Sequence, residues 1–118
     1  MTQAELFDII ELIIKVPGCD RAMGSQGTIV ECLDDNYFKV EFTNESGETT
    51  ALCTLSPREF IVVWKAETQQ WLTTSEKAIA LFKRLSDEQQ EEVLDFARFL
   101  YQKNFNRKPR AENAFETL

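Results

Sequence analysis

The side chains in this sequence with the types needed for covalent or acid–base chemistry are three cysteines, Cys19, Cys32 and Cys53, and twenty carboxylates; histidine is absent. The missing imidazole removes the commonest general base, the usual activator of a nucleophilic Ser or Cys, and the ligands of most familiar zinc sites. The cysteines form no CxxC. Their odd number, in a chain that reads as non-secreted, argues for reduced thiols over a disulfide framework, with Cys32 and Cys53 as small buried thiols inside strand-like runs. The carboxylates form no recognisable catalytic pair, and neither a phosphate-binding loop nor a GxSxG motif is present. Asp34 and Asp35 could hold a cation, but Asp34-Asp35-Asn36 is the usual composition of a turn. The expectation is therefore a protein that is not an enzyme, with no catalytic residue, no metal ligand and no cofactor.

The elements around these residues begin with a hairpin. Phe38, Val40 and Phe42 alternate with Lys39 and Glu41, the period of a strand with one buried and one wet face, and a strand from Thr28 to Leu33 precedes it across the Asp34-Asp35-Asn36 turn. Upstream, residues 6–16 fit a helix face through Leu6, Ile9, Ile10, Ile13 and Ile14, or a strand through Ile10, Leu12, Ile14 and Val16. Four isoleucines and a valine within eight residues favour the strand, from about Asp8, because branched side chains lose rotamer freedom in a helix. Pro17-Gly18 ends that run, and Gly24 and Gly27 frame the next turn. Asn44-Glu45-Ser46-Gly47 makes a further turn, Thr49–Leu55 a fourth strand, Ser56-Pro57-Arg58-Glu59 a single helical turn, and Phe60–Trp64 a fifth strand. Five short strands at such spacing predict a small closed or partly open barrel.

Gly24-x-x-Gly27-Thr28-Ile29-Val30-Glu31, Phe38-Lys39-Val40-Glu41-Phe42 and Gly47-Glu48-Thr49, with Asp8-Ile9-Ile10-Glu11-Leu12 and Pro17 upstream, carry a resemblance. Residues 5–64 resemble a family of short uncharacterised bacterial proteins. The resemblance implies an SH3-like barrel and supplies no catalytic motif, since that fold serves many unrelated functions.

From Thr73 the pattern turns helical. Thr73 and Glu76 form a capping box ahead of Ala78, Leu81, Phe82 and Leu85, and Ser86 and Gln89 form a second one, so a two-helix hairpin is expected. Asp87, Glu88, Glu91 and Glu92 open the second helix while Arg98 and Lys103 close it, an arrangement that suits the helix dipole. Val93, Phe96, Ala97 and Leu100 make one stripe, and Leu94, Phe99 and Tyr101 widen it beyond what one neighbouring helix covers. The stripe is read as packing on the barrel, on a second copy, or on a different protein. Residues 79–103 resemble a short helical segment of small bacterial proteins, many of them antitoxin-like, although Ser86 stands where that segment usually has proline. A basic stretch, Lys103-Asn104-Phe105-Asn106-Arg107-Lys108-Pro109-Arg110, leads into a polar tail with Phe115 as its one apolar anchor.

The fold expected is thus α+β: a five-stranded SH3-like barrel over residues 1–65, then a helical hairpin and basic tail over 66–118. At 118 residues, 43% of them hydrophobic and 28% charged, the chain reads as an ordinary soluble globular protein of one compact domain or two very small ones. No apolar run approaches the roughly 20 residues that span a bilayer. Met1-Thr2-Gln3-Ala4-Glu5 has no positive region ahead of its apolar segment, so no signal peptide and a cytoplasmic address are expected.

The net charge of −7 is uneven: residues 1–64 have four basic against eleven acidic side chains, and residues 65–118 have nine of each. An acidic barrel repels phosphate backbones and accommodates a basic protein, although plain solubility explains the same charge. The leading expectation is a non-catalytic interaction module binding a protein, either itself or a basic partner, with an antitoxin-like role as a sharper form. Tyr37, Phe60, Trp64, Trp71, Phe99 and Tyr101 are its candidate contact residues, because aromatics supply most of the energy of such contacts. The alternative is nucleic-acid binding through the barrel's glycine-framed turn or the basic tail, carried by Arg21, Arg107, Lys108 and Arg110.

Overall fold

The computed structural model describes residues 3–106. The chain divides into two compact units, Met1–Leu81 and Phe82–Leu118.

The first unit is an open antiparallel sheet of six strands in the order β4-β3-β2-β1-β5-β6, followed by a helix, so the architecture is α+β. The strands are β1 (Ile9–Leu12), β2 (Gln26–Cys32), β3 (Phe38–Thr43), β4 (Thr49–Leu55), β5 (Phe60–Lys65) and β6 (Gln70–Trp71), and the helix is α1 (Thr74–Phe82). All five strands expected from alternation are present. The sixth, β6, follows Lys65, and its two residues are too few to show a period.

The reading of residues 6–16 as a strand holds for Ile9–Leu12 alone. After Leu12 the chain leaves the ladder: the Ile13 N–H donates to the Glu59 carbonyl and the Gly24 N–H returns to the Leu12 carbonyl. Ile14 and Lys15 are consequently exposed.

Strict alternation builds the core. Phe38, Val40 and Phe42 of β3 are buried and Lys39 and Glu41 only half so. They pack with Ile10 and Leu12 of β1, Ile29 of β2, Leu55 of β4 and Phe60 of β5. Gly27 is required where β2 passes this cluster. A Cβ there would stand 2.7 Å from Val40 Cγ1 and 2.9 Å from the Phe42 ring, inside any tolerable contact.

Turn chemistry agrees with the sequence. The Asn44 side-chain oxygen accepts hydrogen bonds from the Ser46 and Glu48 N–H groups at 2.9 Å each, and Gly47 takes φ +85°. Asp34–Asn36 forms a short 3-10 turn in which Asp35 and Asn36 have positive φ, a conformation these two residue types tolerate. Pro57–Glu59 is the expected single helical turn, closed by a capping box between Ser56 and Glu59.

The cysteines require a correction. Cys19 and Cys53 are joined as a disulfide, and Cys32, the third, is exposed at the end of β2 and not buried. The loop after Pro17 lies against β4 and brings the two Cα atoms to 5.5 Å across 34 residues of sequence, the spacing a disulfide needs. That juxtaposition is a property of the folded chain and leaves no trace in cysteine spacing.

The second unit contains α2 (Asp87–Asn106). Both expected capping boxes form. Thr73 Oγ1 accepts from the Glu76 N–H while Glu76 Oε1 accepts from the Thr73 N–H, and Ser86 and Gln89 reciprocate in the same way. Arg107, Lys108, Arg110 and the Phe115 anchor of the sequence reading lie outside the described residues. Among those described, no helix is long and apolar enough to cross a membrane.

Candidate functional site

Asp8 is fully buried, and every demand it makes is met. Its Oδ2 accepts from the Glu5 N–H at 2.9 Å and from Lys65 Nζ at 2.6 Å, and its Oδ1 accepts from the Ala66 N–H at 2.9 Å. Lys65 divides its three protons among Asp8, the Gln3 carbonyl at 2.8 Å and Glu5 Oε1 at 3.1 Å. Burial alone would lower the Lys65 pKa, but the hydrogen bonds to Asp8 and Glu5 outweigh it and hold the ammonium above its ordinary value. All three of these bonds to the carboxylate come from the chain's own donors. The pair is a clasp between the N-terminal segment and the end of β5.

Within that clasp, Phe7 holds φ +72°, which is uncommon for a bulky residue and marks a position fixed by its surroundings. Its N–H donates to the Ile29 carbonyl at 2.8 Å, while its side chain is 57% exposed. The left-handed backbone at Phe7 thus coincides with an aromatic ring exposed to solvent. No periodicity in the sequence reveals the left-handed φ of Phe7.

The strand registers assemble a row across the outer side of the sheet. Leu52 lies opposite Glu41, Glu41 opposite Thr28, Thr28 opposite Ile9, Ile9 opposite Trp64, and Trp64 opposite Trp71. Directly paired residues share a face. The row therefore places half-buried Trp64 beside exposed Trp71, their ring centroids 6.3 Å apart and tilted by 55°. Thr49 Oγ1 hydrogen-bonds Glu41 on this side of the sheet, and Lys39 pairs with Glu31 at 3.5 Å.

The six aromatic candidates divide by burial. Phe60 is 2% exposed and meets Phe38 edge to face at 5.8 Å; it belongs to the core and offers a partner no surface. Tyr37, after the 3-10 turn, is 45% exposed and Trp71 is 55% exposed. On α2, Phe99 and Tyr101 are 54% and 64% exposed. Phe99 stacks on Phe96 at 6.2 Å with Lys103 Nζ 5.5 Å from its ring centre, and Tyr101 meets Phe105 at 5.0 Å. Trp64 and Trp71 are brought together; Phe99 and Tyr101 fall in the second unit. Among the described residues no group of three or more His, Cys, Asp or Glu side chains is placed to hold a metal ion.

The geometry thus describes an α+β chain with aromatic side chains presented on a sheet and on a helix. Residues 6–62 match the model of a domain of unknown function, DUF4926, and residues 77–117 match that of a protein of unknown function, DUF2281. Each match runs through one of the two stretches for which the sequence suggested a resemblance. No curated protein and no solved structure matches the chain.

Proposed function

We propose that this chain is a non-catalytic protein–protein interaction module whose sheet unit is a variant of the SH3-like barrel, and whose partner is another copy of itself or a basic protein. The observation that supports this reading is the display of large aromatic side chains: Phe7 and Trp71 on the sheet unit, and Phe99 and Tyr101 on α2, all more than half exposed. Exposed aromatics of this size and number are the usual anchors of protein interfaces. The acid excess of residues 1–64 favours a basic partner over a phosphate backbone. In an antitoxin-like form of the same reading, the helical pair and the tail mask a basic toxin encoded nearby.

Co-expression with the product of the adjacent gene tests the proposal. A stoichiometric complex that survives purification and is lost on Trp71→Ala is expected. A chain that ignores its genetic neighbour but binds DNA or RNA with steep salt dependence would move the assignment to nucleic-acid recognition.

A further inference from the structure

Resting on the interaction reading, we infer that the partner of α2 is α2 of a second copy of this chain, packed antiparallel and crossing between Phe96 and Phe99. Glu92, Phe96, Phe99 and Lys103 follow one another at steps of four, three and four residues, so they line one ridge of the helix. The ridge reads acid, ring, ring, base. Reversed, it reads base, ring, ring, acid. Laid against itself about a two-fold axis, it sets Glu92 opposite the second copy's base and Phe96 opposite the second copy's Phe99, twice over, as an isologous contact must.

The side chains are disposed for this. Phe96 is 61% exposed and stacked on Phe99, and the Lys103 ammonium over the Phe99 ring stands at the margin of the apolar surface. Beside the ridge, Val93, Ala97 and Leu100 continue the apolar surface, all exposed, with Ala97 small enough to let two helices approach.

Charge selects the orientation. Asp87–Phe96 carries Asp87, Glu88, Glu91, Glu92 and Asp95 and no cation; Ala97–Asn106 carries Arg98 and Lys103 and no acid, and Arg107, Lys108 and Arg110 follow in the sequence. Parallel packing stacks five carboxylates on five. Antiparallel packing sets each acidic half on a basic one, which makes this helix its own electrostatic complement.

Light scattering and sedimentation of the full chain test the inference. The expected particle has twice the 13.7 kDa of the chain. Phe99→Ala, a substitution on an exposed helical position that retains helix propensity, should give a monomer with unchanged circular dichroism. Lys103→Glu should weaken the dimer about tenfold, since two marginal ion pairs turn repulsive, and adding Glu92→Lys should restore it. A particle of 13.7 kDa at every concentration overturns the inference. So does a dimer indifferent to Phe99→Ala, or a charge reversal that the second substitution fails to rescue. A monomer that still forms a complex with a different protein removes this inference and leaves the interaction reading standing.

Discussion

Asp8 and Lys65, 57 residues apart in the chain, meet at 2.6 Å with the Asp8 side chain fully buried and the Lys65 side chain 12% exposed. The contact ties the N-terminal segment to the last residue of β5, and two backbone N–H groups complete the carboxylate's coordination. Removing one partner of a buried pair leaves the other uncompensated, at a cost of about 3–5 kcal/mol. Asp8→Ala is therefore expected to lower unfolding free energy by that amount in urea, with Asp8→Asn intermediate because it keeps part of the network. Equal midpoints for Asp8→Ala and the parent chain would show that the clasp contributes nothing.

The same clasp sets an alkaline limit. The folded-state pKa of Lys65 lies above its unfolded value of 10.5. The stabilisation is consequently complete below 10.5 and is lost as pH rises through the raised folded-state value. Lys65→Met should be less stable than the parent chain at neutral pH, and the gap between their melting temperatures should close at strongly alkaline pH. A gap that stays constant across that range refutes the assignment of the alkaline limb to Lys65.

The Cys19–Cys53 disulfide closes a loop spanning 34 residues. Constraining the unfolded chain over such a loop contributes about 4 kcal/mol in the chain-entropy account. Reduction, or the Cys19→Ser/Cys53→Ser double substitution, should lower the urea midpoint accordingly, and reductant should have no further effect on the double variant. Identical midpoints with and without reductant would mean that the bond constrains nothing in the unfolded chain.

Gly27 is a packing glycine. Its added Cβ would meet Val40 and Phe42 at under 3.0 Å, and the Phe42 side chain is 1% exposed with no room to withdraw. Overpacking of this kind costs typically about 1–3 kcal/mol, so Gly27→Ala should destabilise by that much. The control is Gly47→Asn at a turn with open space and φ +85°, which asparagine tolerates at small cost. A Gly27→Ala chain as stable as its parent would show that β2 can shift away from β3 freely.

Much of this architecture is legible in the residues alone. Alternation in Phe38–Phe42 fixes a strand and its buried face, Asn44 and Gly47 fix a turn, and two capping boxes fix the starts of both helices within a residue. These are local properties. Each is decided by neighbours within four positions, the range over which backbone periodicity and side-chain capping act.

The remainder depended on which distant segments the fold brings together. Tyr37 and Phe60 are both aromatic residues at the edge of a strand, and only the assembled sheet makes one exposed and the other core. The tryptophan pair needs the β5–β6 register, the clasp needs the N-terminal segment to return to the end of β5, and the disulfide needs the loop after Pro17 to lie on β4. Five of the six strands, the turns and the capped helices follow from the residues alone, because they answer to short-range periodicity. Tertiary structure alone decided which cysteines pair, where the one buried carboxylate finds its cation and which aromatics reach solvent among the described residues, because each depends on contacts 34 to 57 residues apart or on which face of the sheet is covered.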